Sequence, residues 1–274
     1  MTFALFQRKL KFYTRGKTNM MHRYRLYLNI VIMSLSLLLA CPAMGCDLKV
    51  RVTTFEPLVI KHEQGRWSGI DVDHAKALLD LAGCRYTFIE MPFARGLQKL
   101  KAGELDLMLE ISKTEERQKA LHFIGPQRQE VIHLVLKKGL QPPITQWQQL
   151  ESLGLVLMRQ RGTFVGERFE QVLRQNPLMK KRMILLADTG VRLDMLKKGR
   201  ADGFFVERAY LQYRLRTNPD YAMVELHPLV IHSAPVYFAF SKASVNKILL
   251  NKLLVAYQQL VKTSKLKQIE AQYQ

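Results

Sequence analysis

Few side chains in this 274-residue chain have the type and spacing for covalent or metal chemistry. The three cysteines stand at positions 41, 46 and 84. The seven histidines, His62, His74, His122 and His133 among them, form no Cys/His group at zinc spacing. Neither a metal nor a cofactor is expected. The groups suited to non-covalent chemistry are placed more suggestively. Gly162-Thr163 falls between a strand-like and a helix-like segment, where free N–H groups attract an anion or simply cap a helix. Arg95, in Met91-Pro-Phe-Ala-Arg, follows the carboxyl end of a strand and faces either a cleft or the surface. Thr114 to Arg117 has the form of a helix start, and Glu207 that of a first-turn acid favoured by the helix dipole. Phe55 and Phe93, taken singly, read as core residues.

The elements that must position these groups alternate. Residues 48–55 switch between apolar and polar as a strand does. Asp71 then caps a helix carrying Val72, Ala75, Leu78 and Ala82 on one face, and Gly83 stops it. A strand over 85–91, a helix over 94–102 and a strand over 105–109 complete a β-α-β-α-β run. A second run repeats the rhythm, with strands over 154–158, 183–187 and 201–206 and helices over 163–174 and 189–198. The runs share a phrase: Leu100-Lys-Ala-Gly-Glu-Leu-Asp106 in one and Leu196-Lys-Lys-Gly-Arg-Ala-Asp202 in the other. Strands alternating with helices of this length predict parallel sheets. A strand over 131–136 and the Pro-bearing stretch 141–143 lie between the runs, and a strand over 236–240 with helices over 244–261 and 264–273 finish the chain. Two such lobes joined by more than one crossing place a cleft at the carboxyl ends of their strands and allow hinge closure. The competing reading is one doubly wound domain.

Composition fits a globular protein, with 48% hydrophobic and 24% charged residues, and excludes disorder, collagen and coiled coil. The formal charge of +19 is partly an N-terminal effect, because residues 1–45 carry seven basic side chains and no acidic one. The remainder holds 35 basic against 23 acidic residues, or +12, with no basic block, and a nucleic-acid partner is not expected. From Leu26 to Cys46 no side chain is charged. Arg23 and Arg25, the apolar run and the small residues Ala43 and Gly45 have the pattern of a cleaved secretory signal, with a membrane anchor as the alternative. Cleavage leaves Cys46 and Cys84 before neighbouring parallel strands, where in an oxidising compartment they can pair. A lipidated Cys46 (or Cys41) or a plain buried thiol at Cys84 are the alternatives.

Three segments resemble the periplasmic solute-binding proteins of the polar amino-acid type, solute-binding family 3. They are Phe55-Glu-Pro-Leu58 with Trp67-Ser-Gly-Ile-Asp-Val-Asp73, Gly103-Glu-Leu-Asp106 followed by Ser112-Lys-Thr-Glu-Glu-Arg117, and Gly199-Arg-Ala-Asp-Gly203 ahead of Glu207. The resemblance runs over 48–274. It implies a two-lobed α/β fold of type II, with two parallel-type sheets, a hinge and a central ligand cleft. Lobe 1 would comprise 46–129 plus 237–274, and lobe 2 130–236. It also implies that Arg117 takes a ligand carboxylate with help from Ser112 and the Gly162-Thr163 turn. Glu207 would receive an ammonium, and Phe55 and Phe93 would pack on the ligand side chain. Arginine suits the first task because its planar fork gives two parallel charge-assisted bonds. Val52, Phe164 and Glu110 depart from the family pattern, the first at a site where many members place an acid for a basic ligand side chain.

The expected protein is therefore a periplasmic, monomeric, non-enzymatic capturer of an amino acid or related solute, delivering it to a membrane ABC permease. A dehydratase on the same fold (a cyclohexadienyl-dehydratase-like enzyme) and a ligand sensor feeding a signalling receptor are the rivals.

Overall fold

The computed structural model describes residues 46–140, 142 and 144–273. The predicted leader with Cys41, and Gln141 and Pro143 of the Pro-bearing connection, lie outside the described residues. Ten strands are β1 Cys46–Val52, β2 Ile60–Lys61, β3 Trp67–Ser68, β4 Cys84–Glu90, β5 Leu107–Ser112, β6 Leu121–Lys137, β7 Leu157–Gln160, β8 Met183–Leu186, β9 Gly203–Glu207 and β10 Val224–Ser241. The α-helices are α1 Ile70–Leu81, α2 Phe93–Ala102, α3 Glu115–Ala120, α4 Glu167–Gln175, α5 Pro177–Lys181, α6 Arg192–Lys197, α7 Arg208–Thr217, α8 Lys247–Lys262 and α9 Lys265–Ala271.

The strands form one eight-stranded sheet in the order β4-β1-β5-β10-β6-β9-β7-β8, beside the small β2-β3 pair. Each predicted run supplies its own parallel block: β4-β1-β5 at one end and β9-β7-β8 at the other. The two blocks are one sheet because β6 and β10 are 17 and 18 residues long and pair antiparallel along their whole length. The apolar runs 131–136 and 236–240 are only the carboxyl-terminal stretches of these strands; the middle of β6, residues 125–130, is polar and carries no periodic signal. Four apolar cores follow the same division. Leu48, Val50 and Leu107 pack under Val72, Leu78 and Leu253, and Met108 and Ile111 pack with Phe93 and Leu100. In the other block Leu134, Leu136 and Phe205 point to one core while Val135, Phe204 and Val206 point to the other. Burial of both faces explains why these strands read as unbroken apolar runs.

The shared phrase has a shared job. Gly103 and Gly199 both take left-handed φ, 79° and 64°, at the ends of α2 and α6. Asp106 then accepts the Lys49 N–H at 2.7 Å, as Asp202 accepts the Val156 N–H at 2.7 Å, fixing the starts of equivalent parallel strands. Asp71 proves not to be a cap. α1 begins after Gly69, whose φ of 113° and whose Cβ position 2.5 Å from the Leu58 carbonyl oxygen admit only glycine, and Asp71 is fully buried inside the first turn. α7, the helix whose first turn was expected at Glu207, runs Arg208–Thr217 with Glu207 at its N-cap; α4 starts at Glu167, four residues later than expected.

Cys46 and Cys84 stand opposite each other in the β1–β4 register and are disulfide-bonded, with Cα atoms 4.8 Å apart. The bridge closes a loop of 38 residues. Thiol titration of the denatured, unreduced protein should find neither thiol free. Reduction should lower the unfolding free energy in denaturant by roughly 3–4 kcal/mol; an unchanged midpoint would show that the bond adds nothing.

Candidate functional site

A cavity of about 590 Å³ opens between the two parallel blocks, within the usual range for small-molecule sites. Its wall contains Phe55, Phe93, Ser112, Arg117, Thr163 and Glu207, six of the eight site residues read from the sequence. Arg95 is not in it. On α2 the buried face carries Phe93, Gly96 and Leu100, and helical spacing turns Arg95 outward, where it is exposed. The Gly162-Thr163 turn also differs from expectation. The Thr163 N–H and hydroxyl both donate to the Gln160 carbonyl, at 3.3 and 2.8 Å, and the helix begins four residues later. No free helix N-terminus is offered there. What Gly162 presents is its carbonyl, which accepts from Arg117 Nη2 at 3.0 Å.

Arg117 lies in α3, whose Thr114 cap accepts the Arg117 N–H at 3.3 Å. Its guanidinium is buried against the Phe93 ring, 6.0 Å from the centroid, and Nη1 donates to the Ser112 carbonyl at 2.8 Å. These two bonds use two of the five N–H donors, and among the described residues no carboxylate pairs with it. Burial pulls its pKa down, against attraction from Glu130, yet a guanidinium stays charged at neutral pH. Arg51, absent from the sequence reading, shares the same ring at 5.4 Å and donates from Nε to the Met91 carbonyl. Burial lowers its pKa to about 10. Gly96 was the available clue, because a Cβ there would stand 2.9 Å from Arg51 Cγ.

Glu207 closes β9, and its carboxylate is engaged. Arg128, from the polar middle of β6, donates to both of its oxygens at 2.5 and 2.9 Å. The same guanidinium reaches Asp71 at 2.8 and 3.1 Å and Glu110 at 3.0 Å. Gln127 adds a bond to Asp71 at 2.7 Å and accepts the Glu110 N–H at 3.0 Å. Glu110 owes its position to a bulge. Tyr237 and Ala239 of β10 face Ile111 and Met108 of β5, so β5 carries one extra residue. Glu110 takes φ 53°, and beyond it the alternation flips, with Leu107 and Leu109 in one core and Met108 and Ile111 in the other. Burial pushes the Glu110 and Glu207 carboxyls upward, opposed by the Arg128 charge. Glu130, half-buried in the cavity wall, is pushed up to about 8, by burial first and then by Glu207.

The far wall adds Arg159, paired with Glu170 at 2.5 Å, Arg214, paired with Glu56 at 3.0 Å, and buried Arg192. Phe55 stacks on Tyr210 across the cavity edge at 4.5 Å with 11° between the rings. Phe164 meets His232 edge-on at 5.5 Å.

The bacterial extracellular solute-binding proteins, family 3, match residues 48–274. The chain belongs to that family. The histidine-binding periplasmic protein of Salmonella typhimurium is 32% identical over 102 residues, 35% of this chain and 39% of the relative, so well under two thirds of that curated protein's length is matched. An ancestral arginine-binding protein bound to arginine is 25% identical and superposes with a TM-score of 0.72 over 84% of this chain and 99% of its own. An ancestral amino-acid-binding protein, a precursor of cyclohexadienyl dehydratase, is 21% identical, with a TM-score of 0.64 over 83% and 94%. The family 3 chain thus has the α/β fold of the periplasmic amino-acid-binding proteins. Among its described residues no helix is long and apolar enough to cross a membrane, and no group of His, Cys, Asp and Glu is arranged to hold a metal.

Two measurements bear on the charge cluster. Arg128→Met strips three buried carboxylates of their cation and should cost about 3–5 kcal/mol in denaturant unfolding at pH 7, much less at pH 4. An unfolded glutamate releases its proton near 4.5, whereas folded Glu130 holds its own to about 8. Between those values the folded chain binds more protons, so its stability falls as pH rises. Glu130→Gln should flatten that slope between pH 5 and 8; an identical slope in both proteins would place the Glu130 pKa near its ordinary value.

Proposed function

We propose that this family 3 protein captures a small carboxylate-bearing solute, an amino acid or a related molecule, in the periplasm and delivers it to an ABC importer. The lobes would be 46–129 plus 237–274 and 130–236, hinged where β6 and β10 cross. The observation that carries the reading is Arg117: a buried guanidinium in the wall of a 590 Å³ cavity, seated on two carbonyls and a ring, with no carboxylate of its own. An unpaired buried cation is costly, and a solute carboxylate offers the planar, bidentate partner that offsets the cost. Its bond to the Gly162 carbonyl spans the two blocks, so a carboxylate docked there touches a group that both lobes hold. Solute binding then favours the closed arrangement through contacts that exist only when the walls meet.

The test is a thermal-shift and calorimetric screen of the purified protein against amino acids and small organic acids. A ligand at 100 times its dissociation constant should add about 2.7 kcal/mol. Arg117→Ala should weaken that ligand at least about 30-fold, the lower range for truncating one partner of a buried charge pair. Unchanged affinity in Arg117→Ala would remove the residue from the site and the carboxylate from the proposal.

A further inference from the structure

Beyond Arg51 and Arg117, which flank one ring of the near wall, the cavity has a further buried cation that the single-carboxylate reading leaves without a task. Arg192 opens α6 and lines the wall beside the turn 187–190. It is 3% exposed, and its Nε and Nη1 are buried with no hydrogen-bond partner. Its guanidinium lies over the Phe204 ring at 5.1 Å, and among the described residues no carboxylate stands within ion-pair distance. Each acid of the cavity wall is otherwise engaged or distant from this role. Glu90 holds Lys61 at 2.5 Å, and Glu110 and Glu207 share Arg128. Exposed Asp188, on the adjacent turn, accepts the Gly190 N–H at 2.8 Å and, with Tyr210 and Tyr221, attracts Arg192 from beyond ion-pair distance. Glu130, the remaining acid, keeps its proton to about 8 through burial.

Arg192 also cannot shed its charge as a buried lysine would, since a guanidinium remains protonated at any physiological pH. The arginines of the far wall show what the fold does when a pair is structural: Arg159 has Glu170 and Arg214 has Glu56. Arg192 has been given no such partner, although it is more deeply buried than either. On the near wall Arg51 and Arg117 flank one ring, so the cationic character there is already sufficient for one anionic group.

Building on the proposed capture of a carboxylate at Arg117, we infer that the solute carries two anionic groups, the first held at Arg117 and the second at Arg192 on the opposite wall. The solute class is a small dicarboxylate, or an amino acid with an acidic side chain, and not one with a basic or neutral side chain.

Matched pairs isolate the second charge. Glutamate, aspartate, glutarate and succinate are each compared by calorimetry with the half-amide of the same length: glutamine, asparagine, glutaramate and succinamate. In any pair that binds, the diacid should bind at least 10-fold more tightly than its half-amide. Arg192→Gln should erase that preference, bringing each diacid and its half-amide within about 3-fold of one another. Because the substitution removes an unpaired buried charge, the variant should melt no lower than the parent, which keeps lost binding distinct from lost folding. A half-amide that binds as tightly as its diacid, or a preference that survives Arg192→Gln, overturns the inference. Binding of a basic or neutral amino acid, dependent on Arg117, with no diacid bound would overturn the second anion seat and leave the capture proposal standing. If neither set nor any other carboxylate binds, the capture proposal falls and the inference with it.

Discussion

The arrangement depends on one buried cation. Arg128 joins Asp71 of α1, Glu110 of β5 and Glu207 of β9 from its own place on β6, so four elements far apart in sequence meet at one guanidinium. Removing such charges from water costs several kcal/mol each, and the cost is tolerable only because nearly every donor is used. The fork geometry matters: Nε and Nη2 take both oxygens of Asp71, while Nη1 and Nη2 take both oxygens of Glu207. A lysine, with one point charge, would leave at least one carboxylate unpaired. Burial raises the Glu110 and Glu207 carboxyls, and the neighbouring Asp71 charge raises them further against the Arg128 charge, so the surplus of acids favours a held proton. The cluster sits at the crossing of β6 and β10, so it ties both parallel blocks to the strands that connect them.

Around that crossing the two blocks obey one construction rule. In each, a helix ends on a left-handed glycine, and three residues later an aspartate grips the backbone of the neighbouring strand through both its carboxylate and its peptide group. The backbone continues the parallel: Asp106 carbonyl accepts from Ser241 at the end of β10, and Asp202 carbonyl accepts from Lys137 at the end of β6. Each long strand therefore finishes against the aspartate of a different block. The exchange makes β6 and β10 a pair of straps of equal rank, and it aligns the carboxyl ends of both sets of parallel strands on the same cavity.

This also explains what was legible in the sequence. The repeated phrase, the apolar strands and the paired cysteines are local signals, and each matches an element of the fold. Glu207, Arg117 and the two phenylalanines were reached through the family resemblance, and the fold brings them to one cavity. Asp71 was mistaken for a cap because an acid in a first turn ordinarily serves the helix dipole, and nothing local reveals a partner 57 residues away. Arg128, Arg51 and Arg192 were invisible for a related reason. An arginine in sequence looks the same whether solvated or buried, and only the tertiary packing distinguishes the two. For Arg95 the sequence left cleft and surface open, and the geometry of the helix sends it outward. The middle stretches of β6 and β10 have no hydrophobic period, because they cross from one block to the other where neither core covers them fully.

The physical demand on the solute follows from what already spans the cavity. Phe55 stacks on Tyr210, Glu56 pairs with Arg214, and Arg117 donates to the Gly162 carbonyl, so three contacts join the walls by protein groups alone. A solute touching one wall would bind both arrangements of the proposed hinge equally and favour neither. To turn a 1:99 preference into 99:1 takes about 5.5 kcal/mol of difference between the two arrangements. Apolar contact with the rings of one wall does not supply that. Charge pairing inside a water-excluding space can, since the attraction strengthens as the dielectric falls, but only with a partner on each side. With the proposed hinge, guanidiniums on both walls, Arg117 seated on carbonyls and a ring and Arg192 over a ring, would place that difference in the closing step itself.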